Sequence, residues 1–236
     1  VLAARSGMRP LAASRDALAL VAATYAENRA GLQWRGIQDT TNDPIVVGRA
    51  ARAYLNYQMS EDYYRGGQMI WLEADALIRA KSGGRKSLDD FARAFFGIND
   101  GEWKTQATYT FEDVVATLQG VQAHDWTTFL RDRLDSRVGL TGGIEASGWK
   151  LVYKDEPNAY AKASARGGGA DYTYSLGLSL NKDGVIGDVR WDGPAFNAGI
   201  GSGTTLVAVN GQAYDKDVLD DAVKAAKGGG APIELM

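Results

Sequence analysis

The chain has no cysteine, which removes disulfides, thiolate metal sites and cysteine nucleophiles together and leaves the redox compartment undecided. Histidine is nearly as scarce, His124 being the only one in 236 residues. Catalytic zinc sites take two or three histidines and complete the set with carboxylate or thiolate, so a complete zinc site inside these residues is not expected. A Ser-His-Asp triad would have a single candidate base. His124 stands in Ala-His-Asp-Trp at an expected helix start, where an ordinary residue of the capping region is the simpler reading. No run approaches the ~18 consecutive apolar residues of a membrane span. The first residues, Val1 to Gly7, lack a charged region followed by an apolar one, so any targeting signal is expected outside the chain. Neither sign of charge dominates: 26 Lys plus Arg stand against 29 Asp plus Glu. Nucleic acid and anionic membranes are therefore not expected partners.

What is present divides into two textures. Residues 1–138 show apolar spacing at three and four with repeated helix-start signals, and read as mainly helical. Val1 to Arg5 reads as the last turn and a half of a helix stopped by Gly7, its beginning missing. Ser14 is expected to cap a helix to about Tyr25 with Leu18, Val21, Ala22 and Tyr25 on one face. Ser60 precedes a strong helix from about Tyr63 to Lys81, ended by Gly83-Gly84. Ser87-Leu-Asp-Asp90 and Thr110-Phe-Glu-Asp113 have capping-box spacing, and Asp125 can cap a helix from Trp126 to Leu134. Leu32 to Pro44 shows no period and reads as an ordered loop.

From about Gly139 short apolar runs alternate with glycine, the signature of a small sheet, and a domain boundary is expected near 137–145. Strands are expected at Trp149–Tyr153, Tyr174–Leu180, Val185–Trp191 and Thr205–Val209. A flexible turn is expected over Ala163–Ala170, and a last strand begins at Pro232 and runs to Met236. Asn210-Gly211 suits a tight turn with positive φ. Asp215 to Lys227 is an expected helix with Val218, Leu219, Ala222 and Val223 inward. The fold class is thus α + β in two domains, 1–138 and 139–236.

Gly193-Pro-Ala-Phe-Asn-Ala-Gly199, followed by Gly201 to Val209 and Asn210-Gly211, closely resembles the signature of bacterial PDZ domains, with Thr204 where Asp is usual. The resemblance implies a small β-sandwich or barrel with one or two helices. It places Tyr174-Ser-Leu-Gly-Leu178 at the loop that receives a peptide's terminal carboxylate. Backbone N–H groups at Ser175, Leu176 and Gly177 can converge on an anion, and the following strand edge can add an extended peptide. Leu176 and Leu178 would line an apolar pocket, with Val218 and Ala222 of the 215–227 helix on the opposite wall. The partners implied are peptide or protein C-termini. The competing expectation is that the protein's own segments fill the groove.

In the first domain, Arg5-Ser-Gly7, Trp34-Arg35 with Asp39-Thr40, Asp62 to Gly67 leading into Trp71–Arg79, and Ser87–Gly97 resemble the glycyl aminopeptidase family of zinc metallopeptidases. The family joins a thermolysin-like catalytic domain to a PDZ domain, and the order is the same here. Its zinc ligands come from an HExxH helix and a later Glu, which this chain lacks. The resemblance therefore implies the rear half of the catalytic domain, inactive alone, with zinc held only in a full-length parent that releases N-terminal Gly or Ala. It also implies a bacterial periplasmic or exported location. Related enzymes place a Tyr three residues before a Gly at a helix start, where its hydroxyl binds the oxyanion. Counting from Gly67 selects Tyr64, and counting from Gly66 selects Tyr63. The rival reading is a non-enzymatic module in which helical and PDZ domains dock partner proteins. A trypsin-like protease with a PDZ domain is excluded by the want of a Gly-x-Ser-x-Gly motif and a suitably placed histidine. Glu73 and Asp75, two apart on a helix, point differently and suit ion pairing better than shared catalysis. Arg35, Asp39 and Arg79 suit a structural ion-pair network better than the alternative of binding a substrate terminus, and Trp34, Trp71 and Trp126 are expected in the core rather than stacked on a ligand.

Overall fold

A computed structural model describes residues 2–48, 50, 52–98, 108–164 and 168–236. A single turn, α1 (Leu2–Arg5), leads to α2 (Leu11–Glu27), whose N-cap is Pro10 at φ −54° and ψ 144°. Ser14, expected as the cap, lies inside the helix, its N–H donating to the Pro10 carbonyl at 3.1 Å. Proline's preset φ starts the helix one turn earlier than a side-chain cap at Ser14 would. The apolar face is the expected one: Ala22 and Tyr25 are buried, with Leu18 and Val21 packed on the same core.

The segment read as a loop is ordered as helical turns: 3-10 turns at Ala30–Gln33 and Gln38–Asn42, then α3 (Asp43–Val46). It lacks an apolar period because an ion network, rather than an apolar face, fixes it. The Arg35 guanidinium pairs with Asp39 and Asp43 and donates to the Gln58 carbonyl at 3.1 Å. A further turn, α4 (Leu55–Gln58), is entered through Tyr54 and left through Met59, both at positive φ.

The central helix is α5 (Asp62–Ser82), which buries residues on nearly every face, Met69, Ile70, Ala74 and Ile78 among them. Gly83 ends it at φ 62°, and the Gly84 N–H returns to the Arg79 carbonyl at 2.8 Å, the glycine-terminated stop that the sequence announces. Three helices follow, α6 (Leu88–Phe96), α7 (Phe111–Val121) and α8 (Trp126–Leu134), and each begins at its expected cap. Both capping boxes are complete, and Asp125 accepts the Thr128 N–H at 3.0 Å. Their apolar faces, with Leu118, Trp126, Phe129 and Phe91, close one core around α5.

A short helix, α9 (Gly142–Ala146), lies directly on α5. A Cβ at Gly143 would fall 2.7 Å from the Glu73 backbone nitrogen, so this approach needs glycine. Leu140 and Ile144 accordingly belong to the helical core, and Leu151 packs against it. Trp149–Tyr153 is not a strand: Trp149, Val152 and Tyr153 are exposed and no neighbouring strand pairs with them. Instead α10 (Ala159–Ser164) intervenes. The glycine-rich turn expected over Ala163–Ala170 lies in part outside the described residues, which omit 165–167.

The smaller lobe holds a sheet of β1 (Ala170–Tyr172), β2 (Leu178–Leu180) and β3 (Ile186–Val189) in sequence order, both pairings antiparallel. After α11 (Pro194–Asn197), β4 (Ala208–Val209) and β5 (Gln212–Ala213) form a hairpin whose turn, Asn210 at φ 49° and Gly211 at φ 77°, is the one expected. The closing helix is α12 (Lys216–Ala226), capped by Asp215. Leu235 bridges Val209, so the final residues extend the hairpin sheet. The class is mixed α and β, dominated by helix. Among the described residues neither sheet closes into a barrel, and the strands are shorter than the expected spans, that of Tyr174–Leu180 because Tyr174 to Gly177 form a turn.

The lobes meet at a polar clasp inside an aromatic cluster. The Asn56 side-chain amide donates to the Trp191 carbonyl at 3.2 Å and accepts its N–H at 2.8 Å. Around it Tyr57 stacks on Trp191 at 4.7 Å between ring centroids, and Tyr54 meets Trp191 and Phe196 edge-on. Arg190 adds a bond to the Glu27 carbonyl at 2.7 Å.

Candidate active-site tyrosine and peptide groove

The first turn of α5 is anchored from below. The buried Asp62 carboxylate accepts from the Tyr25 hydroxyl at 2.9 Å, Arg29 Nε at 2.7 Å and the Ser60 N–H at 2.9 Å. Burial, then the Asp62 charge, pushes the Tyr25 phenol well up, so it remains a proton donor. Ser60, expected to open the helix, is therefore a donor to Asp62, and the helix starts at Asp62 itself.

Tyr63 and Tyr64 diverge from this anchored turn. Tyr63 packs against the core and its N–H donates to Thr40 Oγ1 at 3.0 Å, whereas Tyr64 is 63% exposed. Their rings remain 4.4 Å apart. The two glycines differ as sharply. A Cβ at Gly66 would fall 2.7 Å from Ile37 Cδ1 and 3.2 Å from the Tyr25 hydroxyl, while one at Gly67 would meet nothing within 4 Å. Gly66 thus lets the helix settle on Ile37, which turns Tyr64 outward.

The remaining polar candidates of this lobe are occupied by one another. Glu73 pairs with Arg133, whose guanidinium also lies 3.8 Å from the Phe129 ring centroid. Asp75 pairs with Arg79 at 2.7 Å and accepts the Leu88 N–H at 2.8 Å, so Arg79 is separate from the Arg35 cluster. Asp43 is shared by Arg35 and Arg52. Trp126 is core and Trp71 is partly buried, but Trp34 is 57% exposed, tied to the surface by its indole N–H donating to the Tyr57 carbonyl. His124 lies against Trp126 and Phe129, and burial, with Lys81 nearby, lowers its pKa. Among the described residues no group of three or more His, Asp or Glu could hold a metal. An open cleft of about 550 Å³ lies beside the Arg35 cluster, lined by Gly36, Gln38, Asp39, Thr41, Arg131 and Asp135.

Both edges of β2 are paired, one with β3 and the other with β1. β1 is tied to α12 by the Tyr172 hydroxyl, which donates to Asp220 of that helix at 2.7 Å. Ser175 and Gly177 N–H groups, expected to hold a peptide carboxylate, donate to the Tyr172 carbonyl at 3.1 and 2.9 Å. Gly177 is at φ 77°, the positive value this convergence requires. Leu178 is buried in the core and Leu176 partly so; Val218 and Ala222 pack, half-buried, against the same cluster. Sequence reasoning missed Tyr172 and Asp220. The only signal was Ala-Asp-Tyr beside the glycine run, too short to show a period of two. No known protein family matches the chain, and no curated protein matches it either.

Proposed function

We propose that this chain is the rear part of a zinc aminopeptidase acting on N-terminal Gly or Ala, contributing an oxyanion-binding tyrosine, and that its smaller lobe is a PDZ-type module. The observation that carries the reading is the presentation of Tyr64, a large aromatic side chain 63% exposed on the first turn of the central helix, beside a turn fixed by Asp62 and Gly66. A phenol held on a rigid element can donate to the oxygen of a carbonyl as negative charge develops there, and the fixed helix removes the cost of reorienting it. The metal ligands would come from residues outside these 236, as one histidine and no cysteine do not suit zinc. No step of the reading is routed through a metal within this chain. The resemblance also supports a periplasmic location.

The test is Tyr64→Phe in the full-length enzyme. The expected result is a fall in kcat on the order of 10²–10³-fold with KM little changed, as for loss of one oxyanion donor. If Tyr63→Phe has that effect and Tyr64→Phe does not, the role belongs to the half-buried neighbour. If neither substitution changes kcat, neither tyrosine is the oxyanion donor, and if the full-length protein releases no N-terminal Gly or Ala the peptidase reading is wrong.

A further inference from the structure

We propose that Ala170–Tyr172 is a resident ligand of the chain's own peptide groove, and that the groove becomes available to extended peptides ending in tyrosine when this strand leaves. The inference rests on the PDZ-type reading of the smaller lobe. Three observations converge on it. β1 runs antiparallel to β2, pairing Ala170 with Leu180 and Tyr172 with Leu178, and so runs toward the 173–177 turn as an added peptide would. Its last residue is held at the carbonyl by two N–H groups of that turn, Ser175 and Gly177, with the Ser175 hydroxyl 3.4 Å away. Its side chain is buried and reaches across to Asp220 on α12.

Each contact specifies chemistry that a competitor must reproduce. Two converging N–H groups that hold a neutral carbonyl hold a carboxylate more strongly, since hydrogen bonds to an ionised acceptor are roughly twice as strong. Asp220, itself paired with Lys216, accepts a hydroxyl proton and favours tyrosine over phenylalanine at the terminal position. Ala170 and Tyr172 face the core while Asp171 is exposed, so the selected pattern is small, any, tyrosine with a free C-terminus. The resident strand lowers the fraction of molecules able to bind, and the apparent Kd is raised by the same factor.

The experiment titrates the 236-residue chain with a labelled Gly-Gly-Ala-Asp-Tyr peptide carrying a free carboxylate, beside its amide and a phenylalanine-ended version. Tyr172→Phe, which removes only the resident hydroxyl, is expected to lower the apparent Kd roughly 10- to 100-fold, the size of one hydrogen bond to a charged partner. Ala170→Asp, which places a charge at a buried strand position, is expected to lower it further, with the helical circular dichroism retained. The preference for tyrosine over phenylalanine should vanish in Asp220→Ala. Equal affinity in the wild type and both released variants would overturn the gating while leaving a peptide site. No saturable binding in any of them, or equal binding of acid and amide, would overturn the peptide site as well. Neither result bears on Tyr64, whose test is kinetic.

Discussion

Asp43 and Asp62 lie in the helical lobe almost without exposed side chain, each met by arginine. In the smaller lobe the ion pairs Lys182–Asp183, Lys216–Asp220 and Lys224–Asp221 are at the surface, and its interior is an apolar cluster around Leu178, Val189, Val209 and Leu219. Buried ion pairs fix position more than they stabilise, because each partner is costly to leave alone. The segment from 30 to 46 and the first turn of α5 are each pinned by such a pair. Two- to four-residue strands packed on an apolar cluster have no such pins. β1 is held instead by its ladder to β2 and by the Tyr172–Asp220 bond.

The comparison breaks most clearly at Asp43. Asp43→Ala leaves Arg35 and Arg52 buried without their shared carboxylate, and is expected to cost about 3–5 kcal/mol in chemical denaturation. Asp221→Ala, removing an exposed partner of Lys224, should leave the midpoint unchanged. A small effect of the first substitution would mean that the 30–46 segment is held by something other than its ions.

A smaller effect distinguishes two adjacent glycines of one helix. Gly66→Ala forces a Cβ against Ile37 and Tyr25 and is expected to destabilise by about 1–3 kcal/mol. Gly67→Ala has open space and should stabilise by about 0.5–1 kcal/mol through helix propensity. Thermal denaturation of the two variants reads the signs directly, and equal signs would refute the seating of α5 on Ile37.

The smallest effect is in pH, where two carboxylates bear on the smaller lobe in opposite directions. Burial alone would raise Asp220, but the bonds from Lys216 and Tyr172 outweigh it and hold the carboxyl below its ordinary value. Its contribution is complete above the usual aspartate range and is lost as pH falls through the lowered value. Asp188 is raised by burial, against backbone N–H groups that favour its charge. The cost of its ionised form is present at neutral pH and is relieved as pH falls through the raised value. The wild-type thermal midpoint should therefore gain on that of Asp188→Asn as pH falls through the raised value, a comparison in which the opposing protonation of His124 cancels.

Much of the helical lobe was legible because its signals are local. Ser87, Thr110 and Asp125 cap their helices through contacts within three residues, and Gly83 ends α5 through its own φ. The same holds for Asn210-Gly211 and for α12. Ser14 misled because a nearby proline took the cap, and Trp149–Tyr153 misled because alternation with no partner strand is not a strand. Tyr63 and Tyr64 were both visible as candidates, yet only the packing of Gly66 separated the half-buried ring from the exposed one.

The amino-acid order by itself determined the starts of the helices capped by Ser87, Thr110 and Asp125, the stop at Gly83 and the tight turn at Asn210-Gly211, since each depends on residue type or on neighbours along the chain. Tertiary structure alone decided that Leu32–Pro44 is ordered by Arg35, that α9 joins the helical core, and that β1 fills the edge of β2. Those outcomes depend on contacts such as Tyr172 with Asp220, 48 residues apart, whose closeness no local pattern encodes.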